Sequence, residues 1–274
     1  MRLSSKLMVM ALALVFVFGM TSTVAAFPDF DADWYINTGE YLGDVPYENG
    51  LNAEIIQLGD NDLADIFQSG ENFAHIGQGI DQRSGGVEGD SEYNEAFIEQ
   101  TGLLGEAEVN QRGTFNLADI EQTGYENYAG IGQNGDDMVA HIAQDADDSF
   151  VRVSQWGGAG SLADITQYGV TNRIRTSQQG DDHEVYVMQS EGELNYARVA
   201  QTGSYQHADV SQAGNKNAAL VEQAGWGNEA TVDQQGELNE AIVDQNEAFG
   251  FSASITQQGN SNQGLITQTG VAGD

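Results

Sequence analysis

The chain has 274 residues, with 42 acids against nine bases, four histidines and no cysteine, and its net charge is −33. Such a surface repels nucleic-acid phosphates, so no nucleic-acid partner is expected. The lack of thiols excludes a disulfide framework and a thiolate metal site.

Residues 1–26 read as a secretory signal peptide: Arg2 and Lys6 precede an apolar run from Leu7 to Met20, and Val24-Ala25-Ala26 offers small residues for cleavage after Ala26, or after Ala25 as the near alternative. The run is too short for a transmembrane helix. Cleavage leaves 42 acids against seven bases. Residues 27–50 hold both prolines, Pro28 and Pro46, and six aromatics, Phe27, Phe30, Trp34, Tyr35, Tyr41 and Tyr47, in no regular phase. They read as a flexible lead or as a cap over whatever follows.

From Leu51 to Gly270 one phrase recurs; Asn116 to Gly135 contains it twice, as Asn-x-Ala-x-Ile-x-Gln-x-Gly. Its glutamines are Gln57, Gln68, Gln78, Gln100, Gln111, Gln122, Gln133, Gln144, Gln155, Gln167, Gln178, Gln189, Gln201, Gln212, Gln223, Gln234, Gln245, Gln257 and Gln268, spaced by 11 residues and occasionally by 10 or 12. One break falls between Gln78 and Gln100, where Gly89, with Val87 and Gly85 before it, is counted as a degenerate slot, making 20 in all.

A helix of period 11 would be a right-handed coiled coil. Glycine stands two after the glutamine in 15 slots, and each would cost a helix about 1 kcal/mol, so the helix is excluded. The fixed residues also lie two apart, which is the strand period. Ile or Val stands two before the glutamine in 18 of 19 phrases and Ala four before it in 15, while the residues between them vary freely. One face is therefore inward and constant. Each phrase predicts a short strand closed by a turn that glycine permits.

Such strands cannot bury an apolar face alone, so they stack. Two strands and two turns make a rung of 22 to 23 residues, and the prediction is an all-β, two-sided β-solenoid of ten two-strand rungs over residues 51–270, with parallel sheets and an amyloid-like stack. Inward amides are costly unless paired. Identical amides one rung apart pair as a ladder, which assigns the 19 glutamines to a core amide ladder. After Gly270 only residues 271–274 remain as a tail, so an uncapped last rung is expected, open to a further copy.

The phrase Gly-x-x-Asn-x-Ala-x-Ile-x-Gln-x-Gly, repeating in phase from Leu51 to Gly270, resembles the curlin repeat. The resemblance implies a curli amyloid fibre subunit, secreted to an extracellular fibre on the bacterial cell surface and active in biofilm adhesion and aggregation. It implies as partners the protein itself, other curlin subunits and a curli-type outer-membrane secretion pore, for which residues 27–50 would carry the targeting segment. Ten rungs exceed the roughly five repeats expected of curlin subunits, and the Ser that often opens a strand there is here frequently Asn. The alternatives are a minor, nucleating fibre subunit and a monomeric β-solenoid module binding ice or carbohydrate. The module would need a regular outward array, and the outward residues here are irregular.

No motif for catalysis, cofactor or metal emerges, so no enzyme, cofactor or metal site is expected. His75 and His141 are expected in one column but three rungs, roughly 14 Å, apart. Acid pairs such as Asp136-Asp137, Asp147-Asp148 and Asp181-Asp182 read as solvated turns. Three before alternate glutamines stand Glu54, His75, Phe97, Asp119, His141, Asp164, Tyr186, Asp209, Thr231 and Ser254, an exterior column with no acid above another. Arg152, Arg175 and Arg198 recur at that phase 23 residues apart, with Arg173 beside them between Phe150 and Tyr196. These four bases are expected on one face as a lateral docking surface for anions, extended by Leu220, Ile242 and Leu265.

Overall fold

A computed structural model of the chain describes residues 51–57, 60–81, 87–88 and 91–270. The expected signal peptide, the segment 27–50 and the tail 271–274 lie outside the described residues. All the regular structure described is β: strands stacked into two parallel sheets that face each other across one thin core.

The stacking follows from the phrase. In Glu106–Thr114 the side chains of Ala107, Val109 and Gln111 are buried while those between them are half-buried, and the same alternation recurs in the later strands. Most strands thus bury only one Ala and one Ile or Val, and Phe150–Ala159 and Glu184–Ser190 bury two valines instead. Burying an aliphatic side chain is worth about 1.5–3 kcal/mol, less than the backbone entropy of ordering its strand, so a rung is stable only against its neighbours.

One face is built from ten strands, Leu51–Gln57, Asn72–Gln78, Glu106–Thr114, Tyr128–Asp136, Phe150–Ala159, Arg173–Asp181, Tyr196–Ser204, Ala218–Trp226, Glu240–Phe249 and Gln263–Thr269. The other is built from nine, Leu63–Ser69, Glu95–Leu103, Leu117–Tyr125, Val139–Asp147, Leu162–Val170, Glu184–Ser190, His207–Asn215, Glu229–Glu237 and Ser252–Asn260. The stacked strands pair glutamine against glutamine, and register shifts occur only beyond the glutamine, after Asn134 and after Gln223. The turns stack as well: Phe115 N–H donates to Glu92 O at 3.1 Å and Glu126 N–H to Leu103 O at 2.9 Å, each reaching one rung back.

The expected ten two-strand rungs are corrected to nine, with a tenth strand on one face only. Val87 and Glu88, which the degenerate slot includes, do not pair with a strand of either face. Ile80–Asp81 and Val87–Glu88 form a small antiparallel pair apart from both faces, and Ser91–Glu92 then rejoins the turn column beside Gly113–Thr114. Asn72–Gln78 consequently pairs directly with Glu106–Thr114, and Leu63–Ser69 with Glu95–Leu103.

That excursion shifts the phase of everything before it. The exterior column read from sequence is corrected: Glu54 and His75 lie on the ten-strand face with Glu108 next, whereas Asp65 heads the column of Phe97, Asp119, His141 and Asp164 on the nine-strand face. His75 and His141 are on opposite faces rather than in one column.

Candidate functional site

The amides form two continuous columns, one per face. On the ten-strand face Gln57 Nε2 donates to Gln78 Oε1 at 2.7 Å, Gln78 to Gln111 at 2.9 Å, and the sequence continues through Gln133, Gln155, Gln178, Gln201, Gln223 and Gln245 to Gln268. On the nine-strand face it runs from Gln68 through Gln100, Gln122, Gln144, Gln167, Gln189, Gln212 and Gln234 to Gln257. The second Nε2 hydrogen crosses the core: Gln133 donates to Leu117 O at 3.0 Å and Gln212 to Tyr196 O at 3.0 Å. Both donors and the acceptor are thereby satisfied in a dry interior, where a lone amide would be costly.

All these ladder bonds point the same way, from the Leu51 end to the Gln268 end. Among the described residues, Gln57 and Gln68 therefore present Oε1 outward from the first rung. Gln257 and Gln268 each use one N–H on a backbone carbonyl, Glu240 O at 2.9 Å and Ser252 O at 3.2 Å, and among the described residues meet no further amide.

The asparagines close the corners. Asn116 Oδ1 accepts from Met138 N–H at 3.0 Å in the next rung, while its Nδ2 donates to Gly135 O at 2.8 Å. Asn217 repeats the arrangement with Asn239 N–H and Gly236 O, both at 3.1 Å. His183 takes this corner position in one rung; it is fully buried, its Nε2 lies 3.0 Å from Gln179 O, and burial lowers its pKa.

Turn acids contribute bonds that sequence reasoning missed. Asp136 Oδ1 accepts from Thr114 N–H at 2.9 Å and from Thr114 Oγ1 at 2.7 Å, and Asp147 and Asp181 accept backbone N–H groups of Tyr125 and Ala159 in the same manner. Asn215 and Asn260 do so elsewhere. The available signal was an Asp or Asn recurring three after the glutamine.

On the outer side of the ten-strand face Arg152, Arg175 and Arg198 are direct neighbours, and Arg173 lies between Phe150 and Tyr196. The Phe150 ring is stacked on Tyr128 at 4.8 Å, and the guanidinium carbons of Arg173 and Arg175 lie 5.1 Å and 5.5 Å from its centre. Arg198 is paired with Glu222 at 3.3 Å. Burial, and then Arg173 beside it, lowers the pKa of Arg175. Leu220, Ile242 and Leu265 follow in the same column, and Leu265 is 69 % exposed.

On the nine-strand face His141 Nδ1 lies 3.3 Å from Asp164 Oδ1 and its Nε2 lies 3.9 Å from Asp119 Oδ2. One ligand atom each from Asp119, Glu121 and His141 falls within 4.8 Å, a set able to hold a cation; as it stands, the histidine separates the acids of its column.

Fold and columns together define a repetitive β-solenoid whose rungs are joined by side-chain amide ladders. The chain carries curlin associated repeats: the family model of that description matches residues 113–144, 158–190 and 207–236. A comparison with curated proteins gives no match.

Proposed function

We propose that this protein is a secreted structural subunit, not an enzyme, that polymerises head-to-tail into extracellular, curli-type amyloid-like fibres of a biofilm matrix and serves adhesion and aggregation. The observation that carries the reading is the pair of open stack ends. Leu51–Gln57 and Gln263–Thr269 each pair with one strand only among the described residues, leaving a row of backbone donors and acceptors for another strand. Acceptors at one end complement donors at the other, and an end that repeats the inward code of its opposite invites a further copy in register. Such contacts do not close on themselves, so they yield filaments.

Export through a curli-type outer-membrane pore, guided by residues 27–50, belongs to the same proposal, as does partnership with other curlin subunits. The test is electron microscopy of the purified mature chain alongside thioflavin fluorescence over time. Fibres that grow after a lag phase, which seeds abolish, are the expected result; a persistent monodisperse monomer overturns the proposal.

A further inference from the structure

Among the described residues the strands of the stack alternate faces along the chain, starting on the ten-strand face with Leu51–Gln57 and ending on it with Gln263–Thr269. Their total is therefore odd. The next place in the alternation lies on the nine-strand face, beside Ser252–Asn260. We infer that, in the end-to-end polymer proposed above and resting on that reading, each subunit is turned by half a revolution about the fibre axis relative to the one before it, so that Leu51–Gln57 of one copy pairs with Ser252–Asn260 of the next.

A copy added by translation alone would set its first strand on Gln263–Thr269 and leave one strand place empty on the nine-strand face. That gap would expose backbone donors and acceptors on both its walls and the core beneath them. The half-turn removes it. The two strands of a rung run in opposite directions, and rotation by 180° about the stack axis converts one direction into the other, so the new pairing is parallel like every other in the stack.

The two faces share one inward code, which makes the exchange chemically neutral. Ala53, Ile55 and Gln57 come to lie on Ala253, Ile255 and Gln257. Ala64, Ile66 and Gln68 come to lie on Gly264, Ile266 and Gln268. The amides at the Gln268 end supply N–H donors to the Oε1 acceptors of the incoming end, so both ladders continue without reversal. Charge agrees: Ser252–Asn260 and Gln263–Thr269 contain no ionisable side chain in a chain of net charge −33, and Glu54 and Asp65 of the incoming strands meet Ser254 and Leu265.

The excursion between Gln78 and Asn94 is what makes the count odd. Were the slot around Gly89 a strand of the stack, translation would be seamless. As built, the arginine column moves to the opposite side of the fibre at each subunit.

The chain has no cysteine, so introduced thiols report the joint directly. Ile56, Thr256 and Thr267 each stand one before a glutamine and face outward. Fibres are grown under reducing conditions from Ile56→Cys/Thr256→Cys and, separately, from Ile56→Cys/Thr267→Cys, then oxidised and run on a denaturing gel. Neighbouring strands about 4.8 Å apart lie within disulfide reach, whereas opposite outer faces do not. A covalent multimer ladder from the first variant alone is the expected result; a ladder from the second alone, or from neither in well-formed fibres, overturns the half-turn. If the unsubstituted chain forms no fibre, it is the polymer reading that fails. Should a double variant not assemble, gold on the single variant Ser254→Cys decides: successive particles on alternating sides support the joint, and particles all on one side overturn it.

Discussion

A Cβ on Gly124 would lie 1.9 Å from the carbonyl oxygen of Ala146, its register partner in the following rung. The oxygen belongs to the backbone and cannot move aside, and Gly124 has φ +106°, a region that L side chains rarely adopt. Gly124→Ala should therefore cost roughly 2–4 kcal/mol. Gly132 faces outward in mid-strand, with nothing within 4 Å of its would-be Cβ. Gly132→Ala should be neutral or stabilising by about 0.5 kcal/mol, through the unfolded chain. Denaturation midpoints of the two variants check the contrast, and equal losses would contradict it.

Gln122 and Gln234 are bonded to amides on both sides, whereas Gln57 and Gln268 are the outermost members of their column. Leu at Gln57 or Gln268 should slow fibre elongation more than Leu at Gln122 or Gln234, because the outer amides must pair across the joint. Seeded growth rates measure the difference. Equal rates for all four would count against growth at the ends.

The inward code was legible because burial between two sheets acts on every second residue: Ala118, Ile120 and Gln122 are all buried, and nothing but that alternation was needed to place them. Face assignment before Gln100 was not legible. A degenerate strand and a loop of the same length leave the next glutamine at the same distance, so periodicity cannot tell whether Val87 belongs to the stack or, as it does, to a small hairpin with Asp81. The role of Asp136 escaped for a different reason. Turn acids are commonly solvated, and only the rung spacing shows that its carboxylate meets the backbone N–H of Thr114. The arginine column was legible from its 23-residue spacing, since it lies entirely after the excursion.

Because Asn215 and Asn260 accept the same type of inter-rung bond as Asp136, the acceptor oxygen matters there rather than the charge. Asp136→Asn should leave stability nearly unchanged. Asp136→Ala should cost about 1–2 kcal/mol by leaving the Thr114 donors with water alone. Chemical denaturation of both variants checks this. A loss from Asn as large as that from Ala would show that the negative charge itself is needed.

Glu106 stands in register between Phe73 and Tyr128, and burial, then Glu108, raises its carboxyl pKa from the ordinary 4.5 to about 7. Between those values the folded chain holds a proton that the unfolded chain has released, so this group favours the fold increasingly as pH falls from about 7 to 4.5. Above pH 7 the buried charge is a penalty of about 1–3 kcal/mol, allowing for partial solvation. Glu106→Gln should thus be more stable than the parent at pH 8 and match it near pH 4.5. Melting curves across that range test the sign, and a parallel offset at every pH would contradict it.

Stacked guanidinium groups about 4.8 Å apart repel, and local contacts offset that here. Arg198 meets Glu222, and Arg175 is half-buried over the Phe150 ring. Four bases gathered on the outer side of three neighbouring strands of so acidic a chain give that patch the opposite sign to most of the exterior. We propose that it docks laterally on the acidic surface of a neighbouring fibre, with Leu220, Ile242 and Leu265 continuing the contact as an apolar strip. The triple change of Arg152, Arg175 and Arg198 to Gln would then leave elongation nearly unchanged, because none of the three lies at a stack end. Bundling should fall, and its sensitivity to salt should fall with it, since the attraction being screened is the one removed. Turbidity and electron micrographs of fibres grown over a range of ionic strength make the measurement. Identical bundles in variant and parent at every salt concentration would leave these arginines as ordinary surface.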